Sequence, residues 1–451
     1  MRTLAFTLVV ACGLSLLCSA QTPAERLNLF NAEALRLAIE DLSREFGDRY
    51  PDGPVFLEAL DRYETWAREL RDAARFTERD GLWGWHANDP ATQARVEEIL
   101  AFQREALLAN PLLDFERILL VKRSESNLGL PQNWESNSSI PRGGIDNELC
   151  TLRLDNPDAE LTTLFKPEGG RFVGDVDLHF DGTRILFSMP DLDDHDRRWQ
   201  VFEMAADGTG LARLPLILEP DVDNYDACYL PDGAIIFNST APFVGVPCVT
   251  GASHVCHLYR YDPATGAIRR LTFEQDHNWS PAVLNNGRVL YLRWEYSDIP
   301  HFVSRILFHM NPDGTNQAEY YGSNSYWPNS VFYARPVPGH PTMVAGIVTG
   351  HHGARRMGEL VLFDPARGRR EADGVVQRIP GYGKKVAPIF KDRLVDDSWP
   401  KFLHPWPLSE KYLLVAAQPT PQSRWGIYLV DVFDNMLLLR EEPGHVLFQP
   451  I

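Results

Sequence analysis

Carboxylates and imidazoles recur at one kind of place in this sequence, the polar stretch that leads into a short apolar run. Asp175, Asp177 and His179 stand ahead of Ile185-Leu186-Phe187, and Asp223 and Asp226 stand ahead of Ile235-Ile236-Phe237. Asp276 and His277 precede Val289-Leu290-Tyr291, His351 and His352 precede Leu360-Val361-Leu362, and Asp397, Trp399 and His404 precede Tyr412-Leu413-Leu414. Imidazole with carboxylate suits a divalent ion such as Zn, Mn or Fe, or a general acid and base pair. None of the spacings matches a metal signature, so the cofactor is left open, with a divalent metal as the candidate. The competing account has the aspartates capping turns by accepting backbone N–H groups, and the histidines packed between sheets. A second constellation is Cys256-His257, with Tyr261 four residues further on. Strand alternation from Leu258 to Asp262 puts His257, Tyr259 and Tyr261 on one face, where packing alone accounts for them. The chain holds no Gly-x-Ser-x-Gly elbow, P-loop or dinucleotide fingerprint, which argues against serine hydrolases, nucleotide-driven chemistry and Rossmann oxidoreductases.

For the polar stretches to meet, the apolar runs behind them must stand side by side. After Pro111 the apolar period is two, beginning with Ile118-Leu119-Leu120-Val121. From there a module repeats: a polar lead, an Asp-Gly or Asn-Gly turn, an apolar strand, then a second strand closed by another turn. Copies run through Asp175–Gly210, Asp223–Gly266, Asp276–Gly314, Tyr326–Gly368 and Asp397–Asp431. A period of roughly 50 residues suits a four-stranded unit and is too long for a leucine-rich solenoid. Adding the strands from Ile118 to Phe165, the expected fold is an all-β propeller of about six blades spanning 113–451, whose innermost strands line a central channel. The polar leads would converge on one face of that channel, where ligands sit. Trp279, Trp294, Trp327, Trp399 and Trp406 read as wedges between blades. Residues 132–144 are polar and read as a long surface loop.

Residues 21–112 read as a small helical segment. Leu35, Ile39 and Leu42 share one face, Phe56, Leu60, Tyr63, Ala67 and Leu70 a second, and Val96, Leu100 and Leu107 a third. Ahead of it, Arg2, the apolar run Leu4–Leu17 and Cys18-Ser19-Ala20 read as a signal peptide over residues 1–20, which makes the protein periplasmic or secreted. Val9-Val10-Ala11-Cys12 offers the alternative of a lipoprotein anchored at Cys12. No other window is long and apolar enough for a transmembrane span. Cys150, Cys228, Cys248 and Cys256 allow three pairings, of which Cys248 with Cys256 closes the shortest loop; the alternative is that they stay thiols. The net charge of −17, from 61 acidic and 44 basic residues, excludes nucleic acid as a natural partner. An envelope protein or a small molecule remains.

Asp181-Gly182-Thr183-Arg184-Ile185-Leu186-Phe187, with Met204-Ala205-Ala206-Asp207-Gly208 after it, resembles the repeat of TolB-type (PD40, WD40-like) propellers. The wider stretch, including Asp221–Tyr229, Phe237-Asn238-Ser239-Thr240 and Asp276-His277-Asn278-Trp279-Ser280-Pro281, resembles the middle propeller of the hydrazine synthase alpha subunit family. That family attaches c-type haem through Cys-x-x-Cys-His with a Tyr four residues later. The resemblance maps this onto Ser253-His254-Val255-Cys256-His257 with Tyr261, so Cys256, His257 and Tyr261 match and Ser253 does not. Losing the first cysteine removes one of two thioether bonds, which argues against covalent haem. What the resemblance implies is a propeller that binds a ligand or a protein. A metal- or haem-dependent redox enzyme is the first alternative and a propeller polysaccharide lyase or hydrolase the second.

Overall fold

The computed structural model describes residues 27–79, 89–155, 159–191, 198–296 and 303–451. The expected signal peptide and the Cys12 anchor lie outside the described residues. Three helices come first: α1 (Ala32–Phe46), α2 (Gly53–Arg79) and α3 (Pro90–Leu108). Asn31 caps α1 by accepting the Ala34 N–H, and Asp89 caps α3 by accepting the Thr92 N–H, with Pro90 at the first helical position, where no N–H is needed. Leu35, Ile39, Leu42, Leu60, Ala67 and Ile99 are buried, so the faces read from the sequence are those that pack. The helices dock on strands near the C-terminus: Asn435 Nδ2 donates to the Ala34 carbonyl (2.8 Å), and Lys411 Nζ donates to Asp41 and Glu45 (2.8 Å each).

From Arg117 onward the described regular structure is almost all strand, in consecutive antiparallel groups. The first is β1 (Arg117–Ser124), β2 (Asn147–Arg153) and β3 (Thr162–Phe165), and the second β4 (Gly174–Leu178), β5 (Arg184–Pro190), β6 (Trp199–Ala205) and β7 (Ala212–Arg213). Next come β8 (Asn224–Tyr229), β9 (Ile235–Ser239), β10 (His257–Asp262) and β11 (Ala267–Arg270), then β12 (Asn278–Val283), β13 (Val289–Trp294), β14 (Arg305–Met310) and β15 (Ala318–Tyr321). The last two groups are β16 (Ser330–Pro336), β17 (Val344–Thr349), β18 (Glu359–Phe363) and β19 (Val375–Ile379), then β20 (Lys401–Pro407), β21 (Tyr412–Gln418), β22 (Gly426–Asp431) and β23 (Met436–Glu441). A single parallel bridge from Arg305 to Ser330 joins the group ending at β15 to the one beginning at β16. The final strand, β24 (His445–Phe448), pairs antiparallel with β1, giving the order β24-β1-β2-β3. The chain thus ends as the missing fourth strand of its own first sheet.

The turns behave as their residue types require. Asp181, Asp207 and Asp313 each accept the N–H two residues on, at 2.9 Å, and the intervening Gly182, Gly208 and Gly314 adopt φ of +72°, +86° and +85°. At Gly208 a Cβ would also lie 2.6 Å from the Leu164 carbonyl oxygen, so that turn is closed to other residues by contact as well as by conformation.

The leading strand of every group after the first carries a β-bulge. The register breaks between Gly174 and Asp177 in β4, Tyr225 and Cys228 in β8, Trp279 and Ala282 in β12, Phe332 and Arg335 in β16, and Leu403 and Trp406 in β20. In each bulge the second residue is left-handed: Asp175, Asp226, Ser280, Tyr333 and His404 have φ between +49° and +54°. Gln449, one residue past β24, has φ +52° and supplies the same conformation for the first sheet. A left-handed non-glycine residue costs roughly 1–2 kcal/mol. Six on one motif mark a backbone device.

Candidate functional site: a ring of six bulge residues

The six left-handed residues line one cavity of about 50 Å³. Its far wall, towards the first sheet's long connection, is shared by a second, narrower space of about 30 Å³ bounded by Arg123, Arg356, Tyr225 and Trp279. The six residues therefore lie between two spaces, a cup on one side and a narrow chamber on the other.

The chamber is stoppered by residues 129–142. All but the first three belong to the stretch 132–144 expected as a surface loop, and the structure corrects that reading. Asn133 donates to the carbonyls of Gly350 (2.8 Å) and Ala354 (3.0 Å), Ser136 to His254, Asn137 to the Asp175 carboxylate, and Ser138 to Asp223 (2.7 Å). Glu135 offers its carbonyl to Trp279 Nε1 (3.1 Å) and to Arg356 (2.6 Å). The polarity that looked like solvation is hydrogen bonding to the ends of the other sheets.

Two buried guanidiniums flank the ring. Arg123, on β1, is 1% exposed, donates to the Leu128 and Val173 carbonyls and lies 4.1 Å over Phe172. Arg356 is 3% exposed and lies 4.0 Å over Phe332 and 5.2 Å over Trp279. Burial lowers the pKa of both, Arg123 to about 10, and they remain cations. Their counter-charges are Asp175 and Asp226. Burial pushes both carboxyls up, Asp226 to about 7, with Asp175 nearby adding to the rise. Asp226 Oδ2 accepts the Ser280 N–H (2.8 Å) and Asn238 Nδ2 (3.0 Å). His404 rests 4.2 Å from the Tyr333 ring, and burial, with Arg123 and Arg335, takes it down to about 3, so it is neutral. The ring can thus accept and release a proton near neutrality at Asp226, and the neutral His404 imidazole lines the same cavity.

This fixes a stability prediction. A carboxyl raised above its unfolded value stabilises fully below about pH 4, and that contribution is lost as pH rises through about 7. Asp226→Asn keeps the shape and removes the titration. Relative to the parent it is expected to gain roughly 2–4 kcal/mol at pH 8 and nothing near pH 4. Denaturant unfolding of both proteins at the two pH values checks it; an equal difference at both would disprove the assignment.

Of the residues singled out from the sequence, Asp175, Asp226 and His404 stand in the ring. Asp223 lies at the stopper, accepting Ser138, Arg142 (3.1 Å) and the Trp199 N–H (2.9 Å). His277, stacked on Trp279 at 4.5 Å, and Cys256 lie behind the chamber wall, with the Cys256 sulfur 3.4 Å from His277 Nδ1. The others line neither space. Asp177 turns aside to the Tyr229 N–H (2.9 Å), and His179 pairs with Asp181 (2.7 Å) in the β4–β5 turn. Asp276 is buried away from the ring, its carboxyl pushed up to about 6. His351 accepts from Arg305 (2.8 Å), His352 pairs with Asp392 (2.8 Å), Trp399 lies under Lys401, and Asp397 is exposed. A single residue, Val176, separates Asp175 from Asp177, so regular alternation would put both on one face; the bulge there turns them apart.

Among the described residues no three His, Cys, Asp or Glu side chains converge as a metal-binding group. The haem-like set does not fit haem. Cys256 is fully buried, its sulfur donating to the Asn278 carbonyl (3.1 Å), while His257 turns to Arg270 (2.6 Å) and Tyr261 packs with Ile235 and Phe237. Neither space is large enough for a porphyrin. Nor do Cys248 and Cys256 pair: the four described cysteines are all thiols, with Cys248 exposed and the rest buried. Burial raises Cys150 and Cys256 to about 12. A thiol reagent is therefore expected to modify Cys248 rapidly and Cys150, Cys228 and Cys256 only on unfolding; peptide mapping before and after denaturant would decide.

The sequence reading missed Arg123, Arg356, Tyr333, Ser280 and Gln449. What these last three share with Asp175 and Asp226 is a left-handed backbone, which no residue type announces in the sequence. Buried arginines give no signal either.

No known protein-family model matches the chain, and no curated protein matches it. Among solved structures, hydrazine synthase of Kuenenia stuttgartiensis is similar with 15% identity and a TM-score of 0.56, over 74% of this chain and 46% of that one. This chain therefore corresponds to less than half of that protein. Puromycin hydrolase (16% identity, 68% of this chain and 41% of that one, TM-score 0.37) and TolB of Acinetobacter baumannii (15%, 60% and 67%, TM-score 0.33) are more distant. The first likeness shows a shared β-propeller fold and leaves activity open.

Proposed function

We propose that this chain is an exported, closed six-bladed β-propeller of the cell envelope whose central channel binds a small polar ligand. Residues 1–20 act as the signal peptide, 21–112 form the helical segment and 113–451 the propeller. The observation that carries the reading is the ring: five bulges and the left-handed residue after β24 bring Asp175, Asp226, Ser280, Tyr333, His404 and Gln449 to one cavity, each at a cost in backbone strain. Pairing of β24 with β1 supports closure, because it joins the two ends of the strand series. Among the described residues no helix is long and apolar enough to cross a membrane.

The test is a thermal-shift panel of short acids, amines, amides and sugars on the mature protein. Channel binding expects at least one compound to raise the melting temperature of the parent, with the shift lost in both Tyr333→Phe and His404→Ala and kept in Arg36→Ala on α1. A shift that survives both channel variants would place the site elsewhere.

A further inference from the structure

The cup on the open side of the ring has an excess of unused hydrogen-bond donors, and this names the class of ligand. Arg335, on β16, lines the cup with its guanidinium 5.3 Å over the Trp406 indole. A guanidinium has five N–H donors. Among the described residues Arg335 makes one hydrogen bond, a long one of 3.4 Å to Asp177 Oδ1, and the other Asp177 oxygen is held by the Tyr229 N–H. The Tyr333 and Ser280 hydroxyls have no partner among the described residues. Gln449 spends its Oε1 on the Val176 N–H (2.8 Å), which leaves its amide NH₂ free. Of the carboxylate oxygens nearby, Asp175 Oδ2 receives Asn137, and Asp226 Oδ2 receives the Ser280 N–H and Asn238.

An underused cation with three further donor groups beside it calls for a ligand that accepts and carries negative charge. We infer that the cup binds a small carboxylate, its two oxygens on the Arg335 fork and its apolar end against Trp406 and Pro405. The planar guanidinium matches a carboxylate in two parallel hydrogen bonds, and the indole beneath holds the fork in place. A cavity of about 50 Å³ limits the acid to a few non-hydrogen atoms. This inference rests on the channel reading and narrows it.

Isothermal titration of the mature protein, at constant ionic strength in a carboxylate-free buffer, compares acetate with acetamide and methylammonium, which keep size and change charge. The expected result is acetate binding at least about tenfold tighter than either, weakened roughly 10- to 100-fold in Arg335→Gln and less in Arg335→Lys. Should Arg335→Gln fold poorly, quenching of tryptophan fluorescence by acetate in the parent, absent in Trp406→Phe, reads the same site. Equal binding of acetamide, or preference for methylammonium, overturns the carboxylate and leaves a channel that takes another ligand. No binding of any of the three to the parent also overturns it, while the Tyr333 and His404 variants in the thermal-shift panel judge the channel reading separately.

Discussion

Deleting His445–Ile451 is expected to leave no cooperatively folded protein. These seven residues contain β24, the strand that completes the first sheet against β1. Val446, Leu447 and Phe448 are 2%, 0% and 0% exposed, and Ile451 exchanges both backbone hydrogen bonds with Leu119, at 2.9 and 3.1 Å. Gln449 also reaches across to the Val176 N–H on β4. At ~1.5–3 kcal/mol for each fully buried apolar side chain, the three alone account for roughly 5–9 kcal/mol, comparable to the whole stability of a typical domain. The deletion also exposes the edge of β1, which invites aggregation. Soluble yield and a circular-dichroism melt decide it. A soluble deletion variant with a melting temperature near the parent's would mean that β24 is an ornament and that the strand series holds without it.

Arg356→Leu is expected to destabilise by ~3–5 kcal/mol at pH 8, because it removes a buried cation from two buried carboxyls and draws a pin from the stopper. Arg356 donates to the Glu135 carbonyl and covers Phe332 and Trp279; leucine keeps only part of that contact. The pH dependence separates charge from packing. Below pH 7 Asp226 takes up its proton, so the electrostatic part of the loss should shrink towards pH 5. The variant combined with Asp226→Asn should lose less than the sum of the separate effects, since both changes act on one interaction. Denaturant unfolding of the four proteins at pH 5 and 8 gives the cycle. Strict additivity, or a loss equal at both pH values, would assign Arg356 to packing alone.

What could be read from the sequence divides along a physical line. Local rules were legible: Asp181-Gly182, Asp207-Gly208 and Asp313-Gly314 announce their turns because the aspartate and the glycine each do a job inside four residues. The helical faces were legible for the same reason, since Leu35, Ile39 and Leu42 need only a period. The antiparallel β-rich body with few helices followed from them. What was hidden depends on partners far apart in the chain. Asn133, Ser136 and Asn137 look solvated until the carbonyls and carboxylates that receive them are in place, some of them more than a hundred residues away. Arg123 and Arg356 look like surface cations for the same reason. Strand β24 was missed because His445–Phe448 is only four residues long, and its partner lies at the other end of the strand series. Within the ring, Asp175, Asp226 and His404 were visible by residue type, whereas Ser280, Tyr333 and Gln449 share only a backbone conformation with them.

That shared conformation separates scaffold from chemistry. Because the left-handed turn of the main chain is set by backbone and register, six positions, five in bulges and one just past β24, offer the same socket to six unlike side chains: two carboxylic acids, an alcohol, a phenol, an imidazole and an amide. Each socket already tolerates a non-glycine residue in the left-handed region, so exchanging one side chain for another adds no new backbone strain where, unlike Gln449 and Asp226, it does not itself hold a neighbouring strand. The ring is then a six-letter word that can be rewritten letter by letter, and a new specificity could be spelled in it without redesigning the protein that holds the letters.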